Sequence, residues 1–233
     1  MTGRAFRLLL AALALSSGLW TGGASAGWRP GEPMDAARSF FGAAALGEEI
    51  FVAGGASLLG PTDTVAAYDP GLDYWRPVPA LPEGREQFGM AALGGRLWVA
   101  GGYVAGSSGP TADVRIYDPV TAAWTQGPDL PAPRAGHGLV AVEGRLYVVG
   151  GTGPDPAAVY RLSGDGRAWE LFARLPEPRT LAGIVASGTD IHIVGGRIDA
   201  ERASARTDSL DTRSGAWRRD PDLPTPRVAP AAA

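Results

Sequence analysis

The chain has 233 residues, enough to bury a sizeable core in one or two domains. Its 34 glycines and 20 prolines favour turns and short strands over long helices. A net charge of -3 excludes a global basic field for nucleic acid, and the lack of cysteine excludes disulfides, thiolate metal sites, cysteine nucleophiles and a lipid-anchored N-terminal cysteine.

Residues 1–26 read as a secretory signal peptide. Arg4 and Arg7 supply the positive start, Leu8 to Leu15 the apolar run, and Ala24-Ser25-Ala26 a small-x-small cleavage site, so the mature chain is expected to begin at Gly27. The apolar run is shorter than the roughly 20 residues that span a bilayer, and no later segment is long and apolar enough. The expectation is an exported protein, periplasmic or extracellular, with no membrane insertion after cleavage.

From there one unit repeats. A tryptophan recurs as Trp28, Trp75, Trp124, Trp169 and Trp217, at intervals of 47, 49, 45 and 48. After it comes Leu-Pro-x-x-Arg, ending at Arg85, Arg134, Arg179 and Arg227, with Arg38 in the same place before the first unit. Next comes a short apolar strand closed by two glycines: Gly54-Gly55, Gly101-Gly102, Gly150-Gly151 and Gly195-Gly196. Tyr68-Asp69-Pro70 and Tyr117-Asp118-Pro119 follow in two units, with worn versions in the other two. A period of this length marks a repeat architecture.

Each unit reads as four short strands. In the third, 136–142 is small and apolar, 146–149 is β-branched and aromatic, and 157–162 and 168–172 complete the set. Four-stranded sheets repeated at this spacing are propeller blades. The double glycines allow close backbone approach and positive φ, and the tryptophans fill space between sheets.

The order Arg, apolar strand, Gly-x-x-Tyr-Val-x-Gly-Gly, Tyr-Asp, Trp, Leu-Pro-x-x-Arg is similar to the kelch repeat, from Trp28 to the end. The resemblance implies an all-β, kelch-type propeller of four-stranded antiparallel blades, like the central domain of galactose oxidase. The units run about 38–84, 85–133, 134–178 and 179–226, with a stub at 227–233. The segment from Gly27 to Pro33, carrying Trp28, is an orphan outer strand. Kelch-like rings commonly hold six or seven blades, so three readings stand: a fragment, a small closed ring, or an open arc completed by a second copy.

For function, the recurring Arg38, Arg85, Arg134, Arg179 and Arg227 are expected as a partial circle near one channel mouth, where planar guanidinium forks hold carboxylates. In kelch domains that bind acidic peptides, arginines at this place contact the partner. The recurrence also fits a structural role, tying each blade to the next through loop carbonyls, and weighs toward it. Tyr103 and Arg197 directly follow their glycine pairs, on variable loops that commonly carry binding. His137 and His192 lack a neighbouring carboxylate cluster at ligand spacing, so packing outweighs metal. No catalytic residue, cofactor or metal is assigned.

The leading expectation is a binding or scaffold protein for a protein, acidic or glycan ligand on the loop face, with no nucleic-acid partner. A cofactor-free sugar-handling enzyme, resembling sialic acid mutarotase and using channel arginines with a carboxylate, is the second. The copper chemistry of galactose oxidase is disfavoured because its cofactor needs a cysteine cross-linked to tyrosine. A truncated chain without activity is the third.

Overall fold

The computed structural model describes residues 30–230. No helix occurs among them, and none is therefore long and apolar enough to cross a membrane. Sixteen strands form four antiparallel sheets, each ordered as it runs in the chain. Blade 1 is Gly42–Leu46, Glu49–Ala53, Val65–Asp69 and Tyr74–Val78; blade 2 is Gly89–Leu93, Arg96–Ala100, Val114–Asp118 and Ala123–Gln126. Blade 3 is Gly138–Val142, Arg145–Val149, Ala158–Leu162 and Trp169–Arg174; blade 4 is Gly183–Ser187, Asp190–Val194, Thr207–Asp211 and Trp217–Asp220. The blades stand around a common axis as a four-bladed β-propeller, the architecture the repeat implied.

The second strand of each blade shows why the repeat reads as it does. Leu97 to Ala100 and Leu146 to Val149 are buried at every position, because a blade between two others has both faces covered. Leu97 and Val99 pack toward blade 1 with Phe51 and Val65, whereas Trp98 and Ala100 pack toward blade 3 with Leu146 and Val148. Blades 3 and 4 meet through Tyr147, Val149, Ile191 and Ile193. The tryptophans seal the periphery. Trp124 donates its indole N–H to the Pro79 carbonyl and Trp169 to the Pro128 carbonyl, each in the preceding blade.

The double glycines and the arginines form one joint. The Arg85 guanidinium donates to the Gly101 carbonyl of its own blade at 3.0 Å, while its main-chain carbonyl accepts from Gly55 N–H of the preceding blade at 2.8 Å. Arg134 and Arg179 repeat this with Gly150 and Gly195, and with Gly102 and Gly151. Gly54 and Gly55 have φ of 58° and 101°, and a Cβ on Gly54 would lie 2.5 Å from the Arg85 carbonyl. No other residue fits there.

A seam lies between blades 4 and 1. The innermost strands of blades 1 and 2, 2 and 3, and 3 and 4 pack side by side; those of blades 4 and 1 do not meet to the same extent. Ile50 is accordingly 40% exposed, whereas its equivalents Leu97, Leu146 and Ile191 are fully buried. On the other side, blade 4 turns a polar face outward. The Ser209 hydroxyl contacts His192 Nδ1 at 2.7 Å and donates to Asp220, and Arg218 pairs with Asp220 and Asp190. The Ser209 hydroxyl and the Arg218 guanidinium hold the Asp220 carboxyl below its usual range.

The expected signal segment and Trp28 lie outside the described residues. Residues 30–33 of the expected outer strand form no ladder. Glu32 nevertheless takes the place of Pro79 and Pro128, accepting the Trp75 indole N–H at 2.8 Å.

His137 is a wedge. It holds the place of Phe88, whose ring sits beneath Gly54 and Gly42; the imidazole sits likewise beneath Gly101 and Gly89. Both ring nitrogens are sealed from solvent without a hydrogen-bond partner among the described residues. Burial, then the nearby Arg134 charge, pulls its pKa down to about 3.

Two predictions follow from this packing. The Arg179–Asp208 pair is buried on both sides, so Arg179→Met strands a carboxylate that only Arg206 still holds, and urea unfolding should show a loss of about 3–5 kcal/mol. Arg38→Met, at the half-exposed equivalent, should cost about 1 kcal/mol or less. For His137, the folded pKa lies below the unfolded one, so the unfolded chain binds the extra proton. Stability should therefore fall as pH drops from 6.5 toward about 3. His137→Phe, which reproduces blade 2, should flatten that slope in thermal melts across the interval.

Candidate functional site

The blade joints shape one end of the channel. Two residues past each arginine the backbone turns into the left-handed region: Phe40, Gln87, Gly136, Leu181 and Ala229 have φ from 50° to 62°. Four of the five are not glycine, at a cost of about 1–2 kcal/mol each. The strain is held by a head-to-tail chain of backbone hydrogen bonds: Gln87 N–H to Phe40 O, Gly136 to Gln87, Leu181 to Gly136, and Ala229 to Leu181, all 2.7–3.0 Å. These five residues ring a cavity of about 180 Å³. The next residue of each repeat, Phe41, Phe88, His137, Ala182 and Pro230, lines that cavity and a second of about 230 Å³ beside it.

The rim is polar. Each residue after an arginine pairs with the residue after the double glycine of the same blade, placing Ser39 against Ala56, Glu86 against Tyr103, and Thr180 against Arg197. Thr152 meets Ala135 through both its N–H and its hydroxyl. Tyr103 is half-buried and Arg197 exposed, and their pairing partners directly precede Gln87 and Leu181, which line the cavity. Phe40 and Phe41 are 44% and 38% exposed beside this rim, whereas the equivalent Phe88 is 6% exposed.

The arginines lie elsewhere. Arg85, Arg134 and Arg179 are at most 2% exposed and line neither channel cavity. Their outer amino groups are satisfied inside the blade. Arg85 Nη2 meets Asp113 at 2.5 Å and Arg179 Nη2 meets Asp208 at 2.5 Å; the Arg134 guanidinium lies over the Tyr160 ring, 4.8 Å from its centre. Desolvation of Asp113 opposes ionisation, but Arg85, together with Gln126 and Arg115, outweighs it and holds the carboxyl below its usual range. Burial lowers the Arg134 and Arg179 pKa values. Arg227 lends its carbonyl to Gly196 N–H. Arg38 is half-buried and opens onto a third cavity, on the face of blade 1 turned away from blade 2.

Sequence position alone did not reveal the exposed Phe40-Phe41 pair. The available signal is register: two consecutive aromatics follow Arg38, where the later units carry Gln87-Phe88, Gly136-His137 and Leu181-Ala182. His192 lies on the outward polar face of blade 4, far from His137. No group of three or more histidine or acidic residues is arranged to hold a metal among the described residues.

Comparison with known proteins accords with this geometry. A family model described as Kelch motif matches residues 37–82, 84–131 and 133–160, just over half of the chain. The solved structure of YjhT is similar, with a TM-score of 0.75 at 18% identity over 85% of this chain and 69% of that one. At that identity the likeness concerns the fold alone. No curated protein matches the sequence. The unmatched stretch contains blade 4, whose second strand carries His192 where the other units carry an aromatic, yet it keeps the Arg179 joint, Gly195-Gly196 and Trp217. Three matched units, and a fourth with the same joint and the same four-stranded sheet, establish that the chain belongs to the kelch-repeat family of β-propellers.

Proposed function

We propose that this protein is an exported binding module that takes a glycan at the channel mouth. The kelch fold supports a binding or scaffold role, or an enzyme like YjhT. The observation that carries the glycan reading is the exposed Phe40-Phe41 pair beside a polar rim. An aromatic face suits the apolar C–H face of a sugar ring, and Glu86, Gln87, Tyr103, Thr180 and Arg197 supply the mixed donors and acceptors that hydroxyls require. The enzyme reading needed channel arginines and a carboxylate. Neither an arginine nor a carboxylate lines the two channel cavities, although Glu86 and Arg197 stand at their rim.

Export rests on Arg4, Arg7, the apolar run to Leu15 and Ala24-Ser25-Ala26. Expressed with its own N-terminus in a bacterium, the protein should accumulate outside the cytoplasm and yield Gly27 as the first residue on N-terminal sequencing. Retention in the cytoplasm with Met1 intact would exclude this.

Glycan capture should appear on a glycan array and be reproduced by calorimetry with the best-bound sugar. Phe40→Ser and Arg197→Ala should each weaken it at least tenfold while leaving the melting temperature close to that of the parent. Binding that survives both substitutions, or no glycan bound at all, would sink the reading.

A further inference from the structure

The four blades test each other, and blade 1 fails one comparison. In blades 2 and 4 the outer amino group of the joint arginine ends on a carboxylate; in blade 3 it donates to the Asp155 carbonyl at 3.4 Å while the guanidinium lies over an aromatic face. Two positions supply these partners. One is the residue opening the third strand region: Thr64, Asp113, Ala158 and Arg206 in blades 1 to 4. The other lies two residues on: Ala66, Arg115, Tyr160 and Asp208. The registers Ala53↔Val65, Ala100↔Val114, Val149↔Val159 and Val194↔Thr207 fix this alignment. Asp113 serves Arg85 from the first position; Tyr160 and Asp208 serve Arg134 and Arg179 from the second.

In blade 1 both positions are short and uncharged. Arg38 keeps the inner half of the joint, donating from Nη1 to the Gly54 and Thr64 carbonyls at 3.1 Å each. Its Nη2 makes no hydrogen bond to any described residue. In front of it is a cavity of about 320 Å³, walled by Val52, Ala66, Trp75, Pro77 and Val78. Thr64 and Ala66, the two residues that would have carried the partner, both line it. Thr62 and Thr64 hydroxyls, 3.2 Å apart, supply the remaining polarity. Asp35 stands on the lip, exposed, near enough for its charge to act on Arg38 but forming no ion pair.

We propose that this cavity binds a small organic acid, its carboxylate on Arg38 where Asp113 and Asp208 stand in the other blades, and its apolar body against Trp75 and Pro77. The charge, the position and the geometry of the ligand's head group are all given by the protein's own side chains one and three blades away. A half-buried guanidinium with an open fork, next to an apolar wall, selects an anion with an apolar tail over a phosphate or a neutral amide. This site is separate from the channel mouth.

Benzoate is the probe, with benzamide as the neutral isostere. In titrations followed by the Trp75 indole N–H resonance, assigned through Trp75→Phe, benzoate should give a saturable shift, and benzamide should bind at least tenfold more weakly. Arg38→Gln should abolish the response. Thr64→Asp and Ala66→Asp should abolish it too, by building in the carboxylate of blade 2 or blade 4, and neither should lower the melting temperature. Arg197→Ala, at the mouth, should leave benzoate binding unchanged. The proposal is overturned if benzoate produces no saturable shift, if the shift persists in Arg38→Gln, or if both aspartate variants remain folded and still bind. A benzoate-insensitive dimer that Arg38→Gln dissociates would also overturn it, since the carboxylate would then come from a second copy.

Discussion

The arginine that opens blades 2, 3 and 4 is the joint on which the propeller depends, because it acts in two directions at once. Its side chain reaches sixteen residues forward to the first glycine carbonyl of its own blade, and its main-chain carbonyl receives the second glycine N–H of the preceding blade. The glycine pair is the other half of that joint, since only residues without Cβ can present both groups in the space between two sheets. Burying a guanidinium this deeply is costly unless its donors are used; here the two outer nitrogens are used on carbonyls, a carboxylate or a ring, while the buried Nε of Arg85, Arg134 and Arg179 has no partner among the described residues. Apolar packing between blades then proceeds from a fixed spacing and a fixed angle.

Much of this was legible in the residues. The glycine pairs, the Leu-Pro-x-x-Arg run and the tryptophans give the period, and the period gives the sheet. The arginines were harder. Register places their backbones near the channel mouth, which is where the sequence suggests a carboxylate-binding circle, yet their long side chains run sideways into the blade. What decides the direction is a partner roughly 28 residues later, Asp113 for Arg85 and Asp208 for Arg179, and no local pattern marks it. The opposite holds for Arg38: the missing partner is visible in the sequence as Thr64 and Ala66, but only once the ladder registers say which residues correspond. Tyr103 and Arg197 directly follow glycine pairs whose position is set by the joint, and each pairs with the residue after its blade's arginine.

The two faces of the seam differ in chemistry as well as in cover. Blade 1 shows an aliphatic and aromatic surface with Ile50, Tyr68 and Trp75, and blade 4 shows an ionic one in which Ser209, His192, Asp220, Arg218 and Asp190 satisfy one another. Exposed apolar sheet faces invite association, whereas a face of paired charges does not. Both proposed ligand sites border the first face, on one side through Phe40 and Phe41 and on the other through Arg38.

The ring of left-handed residues at the mouth has a consequence for how such a protein can change. From Gln87 to Leu181, each gives its N–H backward and takes the next one's on its carbonyl, so every link has the same donor, the same acceptor and the same sense of rotation. A unit inserted between two others, or lost from between them, leaves each remaining neighbour with the partner it had before. The interior side chains, by contrast, must match across each interface. Duplication of a whole repeat is thus neutral for the backbone circuit and selective only for the packing, which lets blade number vary by integers while single residues at the joint stay fixed.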